Sequence, residues 1–330
     1  MPNAPRFPRS DHCDGRRFFN PRGHINRSWL DVLKWRLTGR ATPWTPAPTA
    51  PAPAAPPETG HDQLVCTWIN HATFLLRTAQ ASVLIDPVYS NCAGPFGRLG
   101  PRRAHPPGLP FNQLPALDLV LLTHDHYDHC DLPTLRRIAA RHPARIVAPL
   151  GHARLLRRAG FAPERITELD WWETRRGPRD LTVTLTPARH WSNRLSGPRN
   201  GRLWGGFYLQ TGRHRVHCVG DTGYDPEFFR DIGRRLGPPD LALVPIGAYA
   251  PRWFMAPMHC DPAEAVQIHR DLGARLSVAA HWGTFQLTDE GRLDPVTELE
   301  CALQAAGLTG NDFQVLQPGE SLGLNGAQLH

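Results

Sequence analysis

The segment of residues 123–131 concentrates side chains that bind metal ions. It contains an H-x-H-x-D-H pattern in which His124, His126, Asp128 and His129 fall within six positions. Imidazole and carboxylate groups are the ligands that Zn²⁺ and similar divalent ions take in proteins. Because His124 and His126 are two positions apart, extended backbone points both side chains the same way, whereas Asp128 and His129 turn toward a second position. The pattern predicts that this segment serves two adjacent metal ions.

Other metal-binding residue types occupy comparable places later in the chain. The apolar run of residues 117–122 predicts a buried strand, so the cluster follows the carboxyl end of a strand. Open α/β sheets build their sites at such ends. His190, Asp221 and His281 each follow a later predicted strand. One histidine in such a place is more often structural than a ligand, but the recurrence of the place favours ligands here.

The elements that position these residues are predicted from apolar periodicity. Strands are predicted over residues 64–69, 73–76, 82–85, 117–122, 145–148, 181–186, 207–209, 216–219, 241–246 and 276–280, and helices over 132–141, 151–159 and 262–272. Strands followed by helices, twice over, indicate a layered α/β domain. The long loop at 90–110 is rich in Gly, Pro and Arg, which is typical of lids and binding loops.

Three parts of the chain differ in composition. Residues 1–40 form an N-terminal segment with a short amphipathic helix, residues 41–60 a Pro/Ala-rich linker, and residues 61–330 the main folded domain, which carries the metal-binding residue types. One face of the predicted helix carries Trp29, Val32, Leu33 and Leu37. That face either packs on the main domain, which is the commoner outcome, or lies at a lipid interface.

Composition narrows the partners and the compartment. The net charge is +7, but the arginines are scattered along the sequence, so nucleic-acid binding is not favoured. Seven cysteines without a C-x-x-C pair predict free thiols in a reducing compartment. No apolar run approaches the roughly 20 residues of a membrane span, and the start lacks a signal peptide's apolar core. The expectation is a cytoplasmic protein, with peripheral contact at a membrane possible.

Beyond the cluster, the sequence resembles the metallo-β-lactamase superfamily, and within it the N-acylphosphatidylethanolamine-hydrolysing phospholipase D-like branch. The matching stretches are residues 67–73, 86–88, 100–103, 123–131, 188–191, 220–224, 245–249, 251–255 and 280–285. The resemblance runs from about Leu64 to about Pro295, and Phe18-Phe19-Asn20-Pro21 is similar to that branch's N-terminal segment, whereas the linker is not. It implies an α/β fold built as a four-layer αββα sandwich.

The resemblance also implies the roles of single residues in a dinuclear zinc site. One Zn²⁺ would be held by His124, His126 and His190, the other by Asp128, His129 and His281, with Asp221 bridging the two. Asp128 and Asp221 would be catalytic together with a metal-bridging hydroxide. Tyr127 and His259 would contact the substrate. His71 and Asp86 would support the site without being ligands.

Three further expectations concern residues near the cluster. Asp125 either orients a ligand imidazole or is a solvent-facing loop carboxylate. Cys130 is either a ligand or, as the commoner case, a small buried neighbour. Aromatic and apolar residues are expected to line a groove for acyl chains, namely Trp191, Trp204, Trp253, Phe254 and Met255.

The leading functional hypothesis is a zinc-dependent phosphodiesterase of phospholipase D type. It would hydrolyse N-acylphosphatidylethanolamine to N-acylethanolamine and phosphatidic acid, with transient contact at a membrane surface and a possible homodimer. The alternative is a hydrolase of another phosphodiester or of a lactone or sugar-lactone phosphate. A β-lactamase is less favoured because Asp221 stands where many β-lactamases place a thiolate. A non-catalytic lipid-binding protein is disfavoured because all seven predicted ligands are present.

Overall fold

The computed structural model describes residues 6–22, 27–44, 59–60 and 63–325. Two seven-stranded sheets form its centre, in the orders β14-β1-β2-β3-β4-β5-β6 and β13-β12-β11-β10-β9-β8-β7. The strands are β1 Gln63–Asn70, β2 Thr73–Arg77, β3 Ser82–Ile85, β4 Leu119–Leu121, β5 Arg145–Pro149, β6 Ile166–Leu169, β7 Thr174–Arg176, β8 Thr182–Thr186, β9 Gly206–Thr211, β10 His214–Cys218, β11 Leu241–Pro245, β12 Ser277–Ala280, β13 Phe313–Gln314 and β14 Ser321–Asn325. The helices are α1 Trp29–Thr38, α2 Leu132–Arg141, α3 Ala153–Arg158, α4 Pro226–Leu236, α5 Arg252–Met255, α6 Pro262–Leu272 and α7 Asp294–Ala305.

Alternating side chains of the strands build two separate cores. Leu119 and Leu121 of β4 belong to the cluster that joins the two sheets, whereas Val120 faces the opposite way and packs with α2 and α3. This period of two is the strand geometry. The inter-sheet cluster also takes in side chains of α4, α6 and α7. Helices therefore cover the outer faces of a sheet pair, and the predicted αββα sandwich is confirmed.

Strand direction brings the site residues to one edge. In the first sheet β3, β4, β5 and β6 are parallel, and in the second β10, β11 and β12 are parallel. β8 is antiparallel to β9, which is antiparallel to β10, so β8 runs with β10. The segments after β4, β8, β10 and β12 consequently leave strands that point in corresponding directions.

Most predicted elements are present within one or two residues of their predicted bounds. The helix over 132–141 is observed with those bounds, and α6 begins at Pro262 behind an Asp261–Glu264 capping box. The sequence patterns do not predict β6, β7, β13, β14, α4, α5 or α7. β7 is the sequence Thr-Arg-Arg and fully exposed, so it has no apolar pattern to detect. Asp131 is the N-cap residue of α2, and its carboxylate accepts hydrogen bonds from the amides of Tyr89 and Ser90 rather than from amides of the helix.

The N-terminal segment differs most from expectation. Phe18 and Cys13 are buried in the inter-sheet cluster, although no pattern in the sequence predicts that they belong to the core. α1 begins at Ser28 with a capping box, and its packed residue is Trp35, whose ring lies 5.0 Å from that of Phe254. The expectation that the face of Trp29, Val32, Leu33 and Leu37 packs on the domain was wrong, because all four are exposed.

Residues 45–58 of the Pro/Ala-rich linker lie outside the described residues. Among the helices within residues 27–44 and 63–325, none has the length and apolar content needed to cross a bilayer.

Candidate metal centre

The predicted ligands meet at the edge where four strands end. The segment after β4 carries His124 to His129, His190 follows β8, Asp221 follows β10, and His281 follows β12. Apart from His126, which is partly exposed, each predicted ligand is at most 8% exposed. A first cluster of His124, His126, His190 and Asp221 and a second of His71, Asp128, His129 and His281 each place one ligand atom per residue within 4.8 Å of the others.

Asp221 joins the two clusters through one oxygen atom. Its Oδ2 lies 3.7 Å from Nε2 of both His124 and His190, on the first cluster's side. The same atom lies 3.2 Å from Nε2 of both His129 and His281, on the second cluster's side. This position between four imidazoles is what a carboxylate bridging two ions requires.

The first cluster presents three imidazole nitrogens to one point. Nδ1 of His126 lies 3.0 Å from Nε2 of His124 and 3.2 Å from Nε2 of His190. Nitrogens bound tetrahedrally to one zinc ion at 2.0–2.1 Å stand about 3.3 Å apart. The spacing of the three donors therefore fits a shared ion of that size.

In the second cluster, His71 joins the residues that the sequence assigned. Asp128 Oδ2 lies 3.3 Å from His281 Nε2 and 3.6 Å from His129 Nε2. Nε2 of His71 lies 3.0 Å from the same Asp128 oxygen, and its ring is 3.9 Å from that of His281. His71 thus contacts a predicted ligand directly, in agreement with a supporting role.

A carboxylate and a hydroxyl orient two ligand imidazoles. Asp86 Oδ2 is 2.7 Å from His129 Nδ1 and accepts a hydrogen bond from the Thr123 hydroxyl at 2.6 Å. The Thr123 oxygen is in turn 3.0 Å from His124 Nδ1. With the Nδ1 protons engaged there, Nε2 of His124 and of His129 is left as the nitrogen for a metal. His190 is fixed in the same way, because its Nδ1 lies 2.9 Å from the Met258 carbonyl oxygen.

Two residues of the second cluster and one beside it have left-handed backbone. The φ angles are 45° at His71, 39° at Asp86 and 59° at His281. Side chains other than glycine rarely adopt this region, and such residues concentrate at functional sites where neighbours hold them. Here the His281 amide donates to the His71 carbonyl at 3.0 Å, which ties two of these residues together.

The electrostatics of the centre favour a bound cation. Burial raises the pKa of Asp128 and of Asp221, but neighbouring histidines, His129 first among them, lower both pKa values well below the ordinary range. Burial lowers the pKa of His281, and Asp221 and Asp128 raise it to about 9. Two ionised carboxylates thus hold protons on nearby imidazoles, and metal ions binding at such a site displace those protons.

The donor set fits divalent metal ions on a further observation. Within the parts of the chain that the structure describes, His129 Nε2 is buried without a hydrogen bond of good geometry, although Asp221 Oδ2 lies 3.2 Å away. Buried polar atoms in proteins are nearly always partnered, so such an atom needs an explanation. Coordination of a metal ion would satisfy this nitrogen, and nitrogen and carboxylate donors in these numbers suit zinc.

A cleft of about 340 Å³ leads to the centre. The predicted ligands His126, Asp128 and Asp221 lie at its floor, and Tyr127 and His259 line it as well. Its apolar lining comes from Trp35, Trp191, Phe254, Met255, Met258 and Leu287. Trp191, Phe254 and Met255 therefore line the cleft as expected. Trp253 is not among the lining residues; it is 41% exposed, and its ring lies 5.5 Å from that of Phe254. Trp204 was placed there wrongly, because it is 1% exposed within the core.

Two other expectations are decided by hydrogen bonds. Asp125 is 1% exposed, so the solvent-facing interpretation was wrong. It does not orient a ligand ring either, since its carboxylate pairs with Arg202 at 2.6 Å and accepts from the Asn193 amide at 3.0 Å. Cys130 is buried and belongs to neither cluster, in agreement with the small-neighbour interpretation.

Sequence reasoning missed one residue that touches the first cluster from far away. Asn20 donates from Nδ2 to the carbonyl oxygen of His190 at 2.9 Å. The resemblance of residues 18–21 to a known N-terminal segment was the available signal, but it gave no role. Nothing in the spacing of Asn20 and His190 indicates that they meet.

Comparison with known proteins agrees with this architecture. Residues 81–282 match the family described as beta-lactamase superfamily domain. The chain is 36% identical over 266 residues to the N-acyl-phosphatidylethanolamine-hydrolyzing phospholipase D 1 of Caenorhabditis elegans, covering 78% of this chain and 75% of that protein. It is 38% identical over 291 residues to an uncharacterized protein of Mycobacterium tuberculosis, covering 86% and 76%. The solved isothiocyanate hydrolase from Delia radicum gut bacteria has a TM-score of 0.61 at 22% identity, covering 79% and 99%, which shows the fold alone.

Proposed function

The chain belongs to the metallo-β-lactamase superfamily, in its N-acylphosphatidylethanolamine-hydrolysing phospholipase D-like branch, and we propose that this metal-dependent hydrolase cleaves N-acylphosphatidylethanolamine. Water would attack phosphorus, and the bond from phosphorus to the ethanolamine oxygen would break. The oxygen leaves with a proton as N-acylethanolamine, and phosphatidic acid remains. The observation that carries the proposal is the position of Asp221 Oδ2 between four imidazoles at the floor of an apolar cleft.

The seven predicted ligands would hold two zinc ions, with Asp221 between them. When bound, such ions supply a nucleophilic water near neutral pH and neutralise charge on phosphate oxygens. The chain's own contribution is orientation. Asp128 and Asp221 are the proposed catalytic carboxylates, because both remain ionised and both face the space shared by the clusters. His71 Nε2 holds Asp128 through Oδ2, the oxygen that also lies 3.3 Å from His281 Nε2.

His259 is the proposed contact for the substrate phosphate. Its ring lies 5.0 Å from that of His190 and 5.5 Å from that of His281, and it lines the cleft. Burial lowers the pKa of His259 to about 4, so the imidazole is neutral at pH 7 and carries one N–H donor. A neutral donor can bind a phosphate oxygen without competing as a cation for the carboxylates of the centre.

Tyr127 is the second proposed substrate contact. Between His124 and His129 only Asp125 and Tyr127 are not predicted ligands, and Tyr127 lines the cleft together with His259. The Arg194 guanidinium lies 4.0 Å from the centre of its ring, which fixes the ring by a cation–π contact. The hydroxyl at the end of a fixed ring is suited to a polar headgroup oxygen.

The apolar lining supports a lipid over a small polar ester. Trp191 and Leu287 line the cleft together with Phe254 and Met255 of α5 and Trp35 of α1. Acyl chains gain about 25 cal/mol for each Å² that such walls remove from water. The exposed α1 face, with Trp29 73% and Leu37 76% exposed, is the proposed surface for transient contact with a membrane. A homodimer stays a prediction, and so does a cytoplasmic location.

The test is a substrate panel on zinc-loaded protein. N-acylphosphatidylethanolamine in mixed micelles should yield N-acylethanolamine and phosphatidic acid in equal amounts, quantified by mass spectrometry. Asp128→Asn should abolish the release, whereas Asp118→Asn should not. Asp118 makes a matched control because it is a partly exposed carboxylate at the opposite end of β4.

The same panel separates the alternative. A generic phosphodiester and a lactone are assayed under identical zinc loading. No acylethanolamine from zinc-replete protein would refute the proposal, and faster hydrolysis of the lactone would place the enzyme in the alternative class.

A further inference from the structure

We propose that Asn20 is a positioning residue for the predicted metal ligand His190, which makes the N-terminal segment of residues 6–22 part of the support of the metal centre. The proposal deepens the proposed metal site and needs no assumption about the lipid. It rests on a chain of contacts from the protein core, through the segment, to the main chain of His190.

The segment is anchored in the folded body at two places. Phe18 and Cys13 are 1% and 2% exposed and belong to the inter-sheet core. His12 is 5% exposed, its Nε2 lies 2.7 Å from Asp170 Oδ1, and its ring stacks 4.3 Å from that of Trp171. These contacts tie the segment to the core of the domain, so its position is set by the fold.

From these anchors the segment reaches the loop that carries His190. The Phe18 amide donates to the Asn200 carbonyl at 2.9 Å, and the Asn200 amide donates to the Ser192 carbonyl at 2.8 Å. Two residues beyond Phe18, Asn20 Nδ2 donates to the His190 carbonyl at 2.9 Å. The segment therefore holds the loop at both ends of the stretch from His190 to Asn200.

Asn20 supplies the constraint on His190 that other contacts leave open. On the preceding residue, the Arg189 amide donates to Thr222 Oγ1, and the Arg189 carbonyl accepts from the Gly223 amide, both at 2.9 Å. The His190 ring is held at Nδ1 by the Met258 carbonyl. The His190 main-chain carbonyl is held by Asn20, so removing the amide side chain lets the ligand's backbone turn while the ring stays tethered at one atom.

Loss of the Asn20 side-chain amide should weaken metal binding more than it destabilises the fold. Replacing a residue that orients a metal ligand lowers the metal affinity about 10–100-fold. Asn20 is partly exposed as a residue, whereas Phe18 and Cys13 supply most of the buried surface of the segment. The anchor of the segment should therefore survive loss of the Asn20 amide.

The experiment measures zinc binding to full-length, metal-free protein by competition with a chromophoric chelator. Asn20→Ala and Asn20→Leu both remove the donor, and leucine keeps the side-chain volume. The control is Phe19→Ala, since Phe19 is the neighbouring residue and its side chain is 37% exposed. We expect the two Asn20 variants to bind one of two zinc ions about 10–100-fold more weakly, and Phe19→Ala to bind as the wild type does.

A second readout separates positioning from general destabilisation. Amide hydrogen exchange should quicken over residues 188–200 in both Asn20 variants, with unchanged protection in the β-sheets and an unchanged thermal midpoint of the metal-free protein. Wild-type zinc affinity in Asn20→Leu would overturn the proposal, and so would an equal loss of affinity in Phe19→Ala. If Asn20→Ala folds poorly, Asn20→Leu decides. Neither measurement uses a lipid, so the outcome is independent of the substrate panel.

Discussion

Replacing Thr123 with valine should separate metal affinity from protein stability. The Thr123 hydroxyl donates to Asp86 Oδ2 at 2.6 Å and lies 3.0 Å from His124 Nδ1, and the side chain is buried. Valine has nearly the same shape and removes only the oxygen. Asp86 keeps two partners, the Thr123 amide at 2.8 Å and His129 Nδ1 at 2.7 Å. The principal loss is therefore the acceptor for the His124 Nδ1 proton.

The size of the effect follows from the two tautomers of His124. Without metal, the ring can move its proton to Nε2, where His126 Nδ1 lies 3.0 Å away and accepts it. The metal-free variant therefore loses little free energy of unfolding. That tautomer blocks Nε2, so metal binding must restore the Nδ1 proton with no acceptor, at a cost of about 1–3 kcal/mol. Since a factor of ten corresponds to about 1.4 kcal/mol, zinc affinity at this cluster should fall roughly 10–100-fold.

The assay is a chelator-competition titration of zinc together with urea unfolding of the metal-free protein. Thr186→Val is the matched control, because Thr186 is equally buried and its hydroxyl lies 3.0 Å from Nε2 of His217, which is outside both clusters. Zinc affinity should fall in Thr123→Val alone. Unchanged affinity in Thr123→Val, or an equal fall in both variants, would refute the reasoning about the tautomer.

Three further predictions concern other contacts. Arg202→Met should lower the free energy of unfolding by about 3–5 kcal/mol, because it leaves the buried Asp125 carboxylate without its charge partner, and Asp125→Asn in the same chain should recover part of the loss in urea titrations. Burial lowers the pKa of His12, but Asp170 and Asp11 outweigh burial, so the pKa in the folded protein is raised. The protonated His12 therefore stabilises the fold fully below the ordinary pKa of about 6.5, and this stabilisation is lost as the pH rises through the raised pKa. His12→Gln should flatten that part of the curve of unfolding free energy against pH. Leu37→Asp with Trp29→Asp should weaken co-sedimentation with phospholipid vesicles and leave hydrolysis of a water-soluble phosphodiester unchanged; equal vesicle binding would remove α1 as the membrane surface.

Local patterns sufficed for much of the fold because the strands carry strong local signals. β4 and its neighbours are continuous apolar runs, and α6 opens with a capping box, so both types of element are encoded within a few residues. β7 and β14 are different. β14 pairs with β1 across more than 240 residues of sequence, from Gln63 to Asn325, and its conformation depends on that partner more than on its own composition.

The predicted ligands could be proposed from local spacing for the same reason, whereas the supporting roles of His71 and Asp86 came only from the family resemblance and the contact of Asn20 was not predicted. Four of the seven predicted ligands lie within six positions after one strand, where residue type and spacing carry the signal. His71, Asp86 and Asn20 reach the centre from separate segments, at 3.0 Å from Asp128, 2.7 Å from His129 and 2.9 Å from His190 respectively. A single asparagine or aspartate in a loop has no spacing that distinguishes a support from an ordinary turn residue.

The contacts of Asp86 and Asp221 indicate how the two clusters are coupled. Asp86 reaches a ligand of the second cluster directly through His129 and a ligand of the first through the Thr123 hydroxyl and His124. Asp221 touches both clusters from the opposite sheet. A change at Asp86 should therefore weaken the binding of both ions. A change at Thr123 should mainly weaken binding at the first cluster, and a change at His71 mainly at the second. Zinc titrations should show the first site weakened in Thr123→Val and the second weakened in His71→Phe, because Thr123 contacts His124 whereas His71 contacts Asp128.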